Sequence, residues 1–305
     1  MDTLIYYLLS LTRFRFTRWC IQLFEWLICG LYLFNQKFIN KIQIFSNGTL
    51  YTLLRKQRTK ILLKTLDLNH PLDRKVSHLS NSGFVKLFEM SEFDVKNTTH
   101  YFQQQKIYNS HVPLKRDVGT MSVQEFLSKP DCHYGSFDIP TSLRSYAIQA
   151  LCTKPEIWQV ARKYLNSDQV HLYSINTMLT KQSENKNYVV YPHRDYDSAS
   201  SVCFFIYWTP TSETNGATKF LPGSHLDSNP PDIDLFYQHL EGPAGTVYAA
   251  DVWGIHAGND AVTSPRLTTW LRFSATTTRS YYLDKNYIFR DDLKEVNKRM
   301  GYENN

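Results

Sequence analysis

Apolar positions along the chain follow two different spacings. Residues 155–165 carry apolar side chains three and four positions apart, which predicts a helix with one buried face. Residues 245–251 and 266–271 are short segments rich in small, β-branched and aromatic residues, next to clusters of turn residues, and predict strands. The pattern indicates a mainly β fold with flanking helices, in which the helix covers the outer face of a sheet.

A separate apolar segment, residues 19–34, lies near the N-terminus. Its sixteen residues fall short of the roughly twenty that a membrane-spanning helix needs, and Gln22 and Glu25 interrupt it on one side. Basic residues flank the segment, and Trp and Tyr occur within it, which suits a helix lying in a membrane interface. A helix packed against the core and a true span are the alternatives.

Charge divides the chain into three parts. Residues 1–65 contain ten Lys and Arg against two Asp and Glu, a net +8, so that the total of +6 leaves −2 for the remaining 240 residues. We therefore predict a basic, apolar helical arm at 1–65, a single core domain at 66–280 and a polar tail at 281–305. The basic residues are interleaved with aliphatic ones rather than displayed on a nucleic-acid motif, so we expect no nucleic-acid partner.

The five cysteines contain no C-x-x-C pair, and their number is odd. We therefore expect neither a disulfide framework nor a zinc ribbon, and the composition favours a reducing compartment. We expect a cytoplasmic protein, with peripheral membrane association through residues 1–65 left open.

The candidate chemistry lies in His193-Arg194-Asp195 and in His256, which follows later in the chain. Residues i and i+2 of a strand point to the same face, so His193 and Asp195 would present their side chains together, with Arg194 turned away. Two imidazoles and one carboxylate form the facial triad that binds non-haem Fe(II) and leaves positions open for a co-substrate and oxygen.

A basic residue accompanies the triad. Arg266 begins the strand that follows His256 and the turn residues at 258–260 and 264–265, and we expect a hairpin there to bring its guanidinium back near the metal. The planar fork of the guanidinium suits a bidentate hold on a carboxylate, as 2-oxoglutarate would offer.

From residue 82 to about residue 273 the chain resembles the phytanoyl-CoA dioxygenase family of Fe(II)/2-oxoglutarate oxygenases. The segments that carry this resemblance are 191–195, 204–210, 215–225 and 245–266, followed by Leu271-Arg272-Phe273. The motifs are degenerate one by one, and their order makes them specific.

The resemblance implies a double-stranded β-helix (jelly-roll, cupin-like) core with iron inside one end. His193, Asp195 and His256 match the Fe(II) ligands, and Arg266 matches the arginine that binds the C5 carboxylate of 2-oxoglutarate. Met178 lies in a strand that resembles the one lining the co-substrate pocket; an ordinary core methionine is the alternative. His225 matches a structural turn. Oxygen would be the second co-substrate, with ascorbate supportive.

The expected reaction is hydroxylation of an unactivated C–H bond in a small organic or lipid-like substrate, with release of succinate and carbon dioxide. The carboxylate of Asp195 favours hydroxylation, because halogenating relatives carry a small residue at that position. Two other classes stay open: a catalytically silent jelly-roll binding module and a membrane-associated scaffold whose main function lies in the arm.

Overall fold

The strands of this protein form two sheets that face each other. The computed structural model describes residues 52–53, 55–110, 119–183, 190–195, 200–227, 236–259, 263–275 and 291–301. The predicted segment at 19–34 and residues 281–290 of the predicted tail lie outside the described residues. The strands are β1 (Phe84–Glu89), β2 (Lys106–Tyr108), β3 (Thr120–Ser122), β4 (Tyr134–Phe137), β5 (His171–Thr180), β6 (Ser201–Tyr207), β7 (Thr218–Phe220), β8 (Gln238–Leu240), β9 (Thr246–Ala250), β10 (His256–Ala257) and β11 (Arg266–Ser274).

The major sheet is antiparallel and has the strand order β1-β9-β6-β11-β5-β4-β2-β3, whereas the minor sheet has the order β10-β7-β8. Strand β11 lies at the centre of the major sheet, between β5 and β6. Two short bridges, His193 with His256 and Thr211 with Gly242, extend the pairing beyond the named strands. This is the jelly roll that the family resemblance implies.

The two faces of the major sheet bury different sets of residues, because successive side chains of a strand alternate. On β11, Leu267, Leu271 and Phe273 belong to the apolar cluster between the sheet and the helices. Trp270 faces the other way and packs against the cluster between the two sheets, where its ring lies 5.5 Å from that of Phe205. The inner face is therefore the one available to a site.

The helices cover the outer face. They are α1 (Pro71–Ser82), α2 (Glu92–Gln103), α3 (Val123–Ser128), α4 (Ile139–Leu143), α5 (Tyr146–Cys152), α6 (Pro155–Leu165) and α7 (Asp291–Arg299). The helix predicted over 155–165 is confirmed as α6. Proline occupies its first turn, where no N–H is needed, and Asn166 ends it in the left-handed conformation. Its predicted apolar face is buried, and Trp158 meets the ring of Phe273 edge-on at 5.0 Å.

The described part of the predicted arm packs on this core. Residues 55–65 are helical, and Arg55 and Arg58 reach the fully buried carboxylate of Asp251, at 2.9 Å and 3.1 Å. The hydroxyl of Tyr164 on α6 donates to the same carboxylate at 2.6 Å. Burial would raise the pKa of Asp251, but the two guanidinium groups outweigh it and hold the pKa below its usual value.

The described part of the predicted tail is also attached to the core. Asn297 on α7 is buried and brackets the backbone of Leu172 on β5, accepting from its N–H at 2.7 Å and donating to its carbonyl at 2.9 Å. The boundaries at 65/66 and 280/281 stay predictions. Within the described ranges, no helix combines the length and the apolar character that crossing a membrane requires.

Candidate metal centre

Two histidines meet across the edge of the minor sheet. The backbones of His193 and His256 exchange both hydrogen bonds of an antiparallel pair, at 2.9 Å and 3.0 Å. Their ring centroids lie 4.4 Å apart. The sequence predicts strand geometry at His193, and among the described residues it forms this isolated antiparallel bridge. The pairing places both imidazoles side by side although they are far apart in the chain.

Asp195 completes the cluster. Its backbone N–H donates to the carbonyl of Val252 at 2.9 Å, which fixes the residue next to the segment that leads to His256. The carboxylate Oδ1 lies 3.6 Å from Nε2 of His193, and Oδ2 lies 3.8 Å from Nε2 of His256. One ligand atom from each of these residues lies within 4.8 Å of the others, and this is the one such group of three among the described residues.

Backbone carbonyls orient both imidazoles. Nδ1 of His193 lies 2.8 Å from the carbonyl of Tyr191, and Nδ1 of His256 lies 2.9 Å from that of Gly254. A carbonyl only accepts, so this network assigns the proton to Nδ1 in both rings and leaves the Nε2 lone pairs facing Asp195. Metal-binding histidines are held in the same way.

The electrostatics match a cation site. Burial, together with nearby His193, lowers the pKa of His256 to about 4, so its ring is neutral at neutral pH. Burial would raise the pKa of Asp195, but the neighbouring Arg272 guanidinium outweighs it and holds the pKa below its usual value. Two imidazoles and one carboxylate are the donor set that non-haem Fe(II) takes, so these residues fit that metal.

Arg272 was not predicted from the sequence. Its Nη2 donates to Oδ2 of Asp195 at 2.8 Å, and its guanidinium lies 5.3 Å from the ring centroid of Trp270. The available signal was its position six residues after Arg266, which places both arginines on the same face of one strand.

Arg194 is turned away from the cluster, as its position between the two ligands predicts. Its Nη1 donates to the carbonyls of Ser224 and Trp253, both at 2.7 Å, and its Nη2 to Asp227 at 2.7 Å. The side chain is buried and ties the ligand motif to the turns on either side of it.

Arg266 lies at the start of β11 on the inner face, with only 4% of its surface exposed. Its Nε and Nη1 have no hydrogen-bond partner among the described residues. A buried guanidinium with unsatisfied donors is costly, and a ligand carboxylate satisfies it. The hairpin predicted between His256 and Arg266 is wrong, because β10 pairs with β7 in the minor sheet whereas β11 pairs with β5 and β6.

Met178 lies on β5 directly opposite Thr268 of β11, on the same face as Arg266. It is 1% exposed and belongs to neither apolar cluster. The Oγ1 of Thr268, which sequence reasoning did not single out, is buried and has no partner within the described part of the chain. The strand register places both side chains on the same face of the major sheet as the unsatisfied guanidinium.

The family model of the phytanoyl-CoA dioxygenases matches residues 94–263, more than half of the chain, and spans all three clustered residues. The chain belongs to the phytanoyl-CoA dioxygenase family. It is accordingly a 2-oxoglutarate-dependent dioxygenase that uses iron. No curated protein sequence shows a significant match to it.

Solved structures share the fold of this phytanoyl-CoA dioxygenase family member. One is SnoN, described as a non-heme alpha-ketoglutarate-dependent epimerase from nogalamycin biosynthesis, with a TM-score of 0.52 and 18% identity over 68% of this chain and 84% of that one. Another is EctD from S. alaskensis with 2-oxoglutarate and 5-hydroxyectoine, with a TM-score of 0.51 and 18% identity over 71% and 83% of the two chains. At this identity the likeness concerns the fold alone.

Proposed function

We propose that this protein hydroxylates an unactivated C–H bond of a small organic or lipid-like substrate, and that His193, Asp195 and His256 hold its Fe(II). The observation that carries the proposal is the convergence of these side chains, with both Nε2 atoms directed at Asp195. Arg266 would bind the C5 carboxylate of 2-oxoglutarate through its unsatisfied Nε and Nη1, and Met178 would contact the same co-substrate.

Bound iron supplies the oxidation: 2-oxoglutarate and O2 become succinate and carbon dioxide, and the second oxygen atom of O2 enters the C–H bond as a hydroxyl group. The residues of the chain bind, orient and shield the reactants. The carbonyls of Tyr191 and Gly254 keep the protons of both imidazoles on Nδ1. The buried inner face around Arg266 and Thr268 excludes water from the co-substrate.

Hydroxylation is favoured over halogenation because Asp195 occupies the third ligand position. A halide ligand needs that position to be free, whereas the carboxylate of Asp195, which accepts a hydrogen bond from Arg272, would fill it. Ascorbate would support turnover by keeping the iron reduced.

The substrate would be a small molecule, and a lipid-like one if residues 19–34 bind a membrane surface. We place the protein in the cytoplasm, with peripheral membrane association through residues 1–65 as the alternative. Cys132 and Cys152 are buried and carry free thiols, which suits a reducing compartment.

The test of the reaction type is product analysis with isotopically labelled O2. The metal-loaded protein is incubated with 2-oxoglutarate and pools of candidate metabolites and lipids, and products are identified by mass spectrometry. Incorporation of one labelled oxygen atom into a product, with one succinate formed per product, supports hydroxylation. A product formed together with succinate but without the label would contradict hydroxylation and indicate epimerisation, ring closure or desaturation instead.

A further inference from the structure

The carboxylate of Asp195 lies at nearly equal distances from the two imidazoles. Oδ1 is 3.6 Å from one Nε2 and Oδ2 is 3.8 Å from the other. Both oxygens are therefore close enough to the shared centre to become metal ligands. A metal that takes six ligands would then have four positions filled by protein and two left open.

The proposed reaction needs three open positions. Two are taken by 2-oxoglutarate, which chelates through its keto oxygen and C1 carboxylate, and one is left for oxygen. A carboxylate that binds through both oxygens would remove one of them. The protein must therefore keep one oxygen of Asp195 away from the metal.

Arg272 contacts one of these oxygens. Its Nη2 donates to Oδ2 at 2.8 Å, and the two side chains are only 11% and 19% exposed, so water screens the pair weakly. The Trp270 ring, 5.3 Å from the guanidinium, and the strand pairing of β11 on both sides hold Arg272 in place.

We infer that Arg272 is a positioning residue that occupies Oδ2 of Asp195 and so limits this carboxylate to one metal-ligand oxygen, Oδ1. The inference rests on the proposed function, because it concerns the positions that 2-oxoglutarate and oxygen require. Arg272 acts through Asp195, and its effect is on the number of open positions rather than on metal affinity.

The test uses the full chain loaded with Co(II), whose visible spectrum reports the number and geometry of its ligands. Arg272→Met removes the donors at similar length, and Arg272→Lys restores one. We expect Arg272→Met to bind Co(II) nearly as tightly as the wild type but with an altered spectrum. With Fe(II) in place of Co(II), its 2-oxoglutarate complex should have no position left for oxygen, so O2-dependent succinate formation should fall about 10–100-fold, the usual loss of activity when a contact to a metal ligand is removed. Arg272→Lys should recover most of both properties.

A purely structural ion pair gives a different result. Lys75→Met is the matched control, because it breaks the half-buried 3.0 Å ion pair between Lys75 and Glu156, which joins α1 to α6 in the helix layer. If Arg272→Met lowered only the thermal stability, as this control should, the inference would be wrong. Loss of Co(II) binding by Arg272→Met would also overturn it, because Arg272 would then hold the ligand rather than limit it.

Two further checks separate the possible failures. Arg272→Gln, which keeps a neutral donor, replaces Arg272→Met if that variant does not fold, and should show a smaller change in the same direction. Failure of the wild type to bind Co(II) and 2-oxoglutarate would count against the proposed function itself, whereas normal wild-type binding with unchanged Arg272 variants would count against this inference alone.

Discussion

At the scale of single residues, one part of the metal cluster is visible locally in the sequence, whereas its surroundings are not. The i, i+2 spacing of His193 and Asp195 is visible in the sequence. Arg272 acts on Asp195 from 77 residues away, and Arg194 reaches the carbonyl of Trp253 from 59 residues away. Such contacts depend on which strands become neighbours, and a single sequence carries no local signal for that.

Replacement of His193 by alanine should abolish Fe(II) binding, because two ligands do not complete a facial triad. Anaerobic titration with Fe(II) measures this. His239→Ala is the matched control: His239 lies on β8 of the same sheet but outside the cluster, and this variant should bind Fe(II) normally. Equal binding by both variants would remove His193 from the site.

Arg266→Met should weaken binding of 2-oxoglutarate by about 10–100-fold, because a charged hydrogen-bond pair contributes about 1.5–3 kcal/mol. Iron affinity should stay close to that of the wild type. The dissociation constant comes from the charge-transfer band of the anaerobic Fe(II) complex. Arg299→Met, an exposed arginine on α7, serves as the control. Unchanged affinity in Arg266→Met would refute the assignment of this guanidinium to the co-substrate.

His225 should make stability depend on pH. It is fully buried, with Nε2 3.1 Å from the carbonyl of Ser80, and burial lowers its pKa from the ordinary 6.5 to about 4. The neutral ring stabilises the fold above pH 6.5, and this contribution is lost as the pH falls towards 4. The loss is on the order of 3 kcal/mol.

Thermal unfolding between pH 7 and pH 4 tests this dependence. A His225→Gln variant should lose less stability over that range than the wild type, although it starts less stable. Parallel pH profiles for the two proteins would show that His225 does not titrate in this window.

At the scale of elements, the helix and strands with a periodic apolar pattern were predicted well, whereas the pairing of strands with one another was not. Helix α6 has the predicted bounds, and β9 and β11 lie where strands were expected. The hairpin at Arg266 was wrong because β10 and β11 enter different sheets. An apolar pattern identifies a strand and its buried face, whereas its partner is decided by packing across the whole domain.

The contribution of the helix at residues 55–65 to stability can be tested by comparing two truncations. Deletion of residues 1–50 keeps Arg55 and Arg58, and the protein should keep its stability and its Fe(II) binding. Deletion of residues 1–65 removes both and leaves Asp251 buried without them, which should cost about 3–5 kcal/mol.

Chemical denaturation measures the free energy of unfolding of both truncated proteins. Asp251→Asn in the full chain is the comparison, because it removes the buried charge. Asp251 lies just before the segment that carries His256, so loss of stability should be accompanied by weaker Fe(II) binding. Equal stability of the two truncations would show that residues 55–65 contribute little to the core.

At the scale of the molecule, the helices cover one face of the major sheet and the minor sheet covers the other. The inner face therefore holds both the metal cluster, beside β10, and the unsatisfied Arg266, on β11. The family resemblance that the ordered motifs carry implied this jelly roll correctly. The packing of residues 55–65 and of α7 onto it was not predicted, because it depends on buried polar contacts, to Asp251 and to the backbone of Leu172.

The most direct test of the central claim is succinate formation by the purified protein with Fe(II), ascorbate, O2 and 2-oxoglutarate, measured beside Asp195→Ala. The account predicts slow succinate formation by the wild type even without substrate, and its loss in Asp195→Ala, because that variant lacks the carboxylate ligand. Equal rates in both proteins, or no succinate together with no charge-transfer band under anaerobic conditions, would contradict the account and favour a silent jelly-roll binding module.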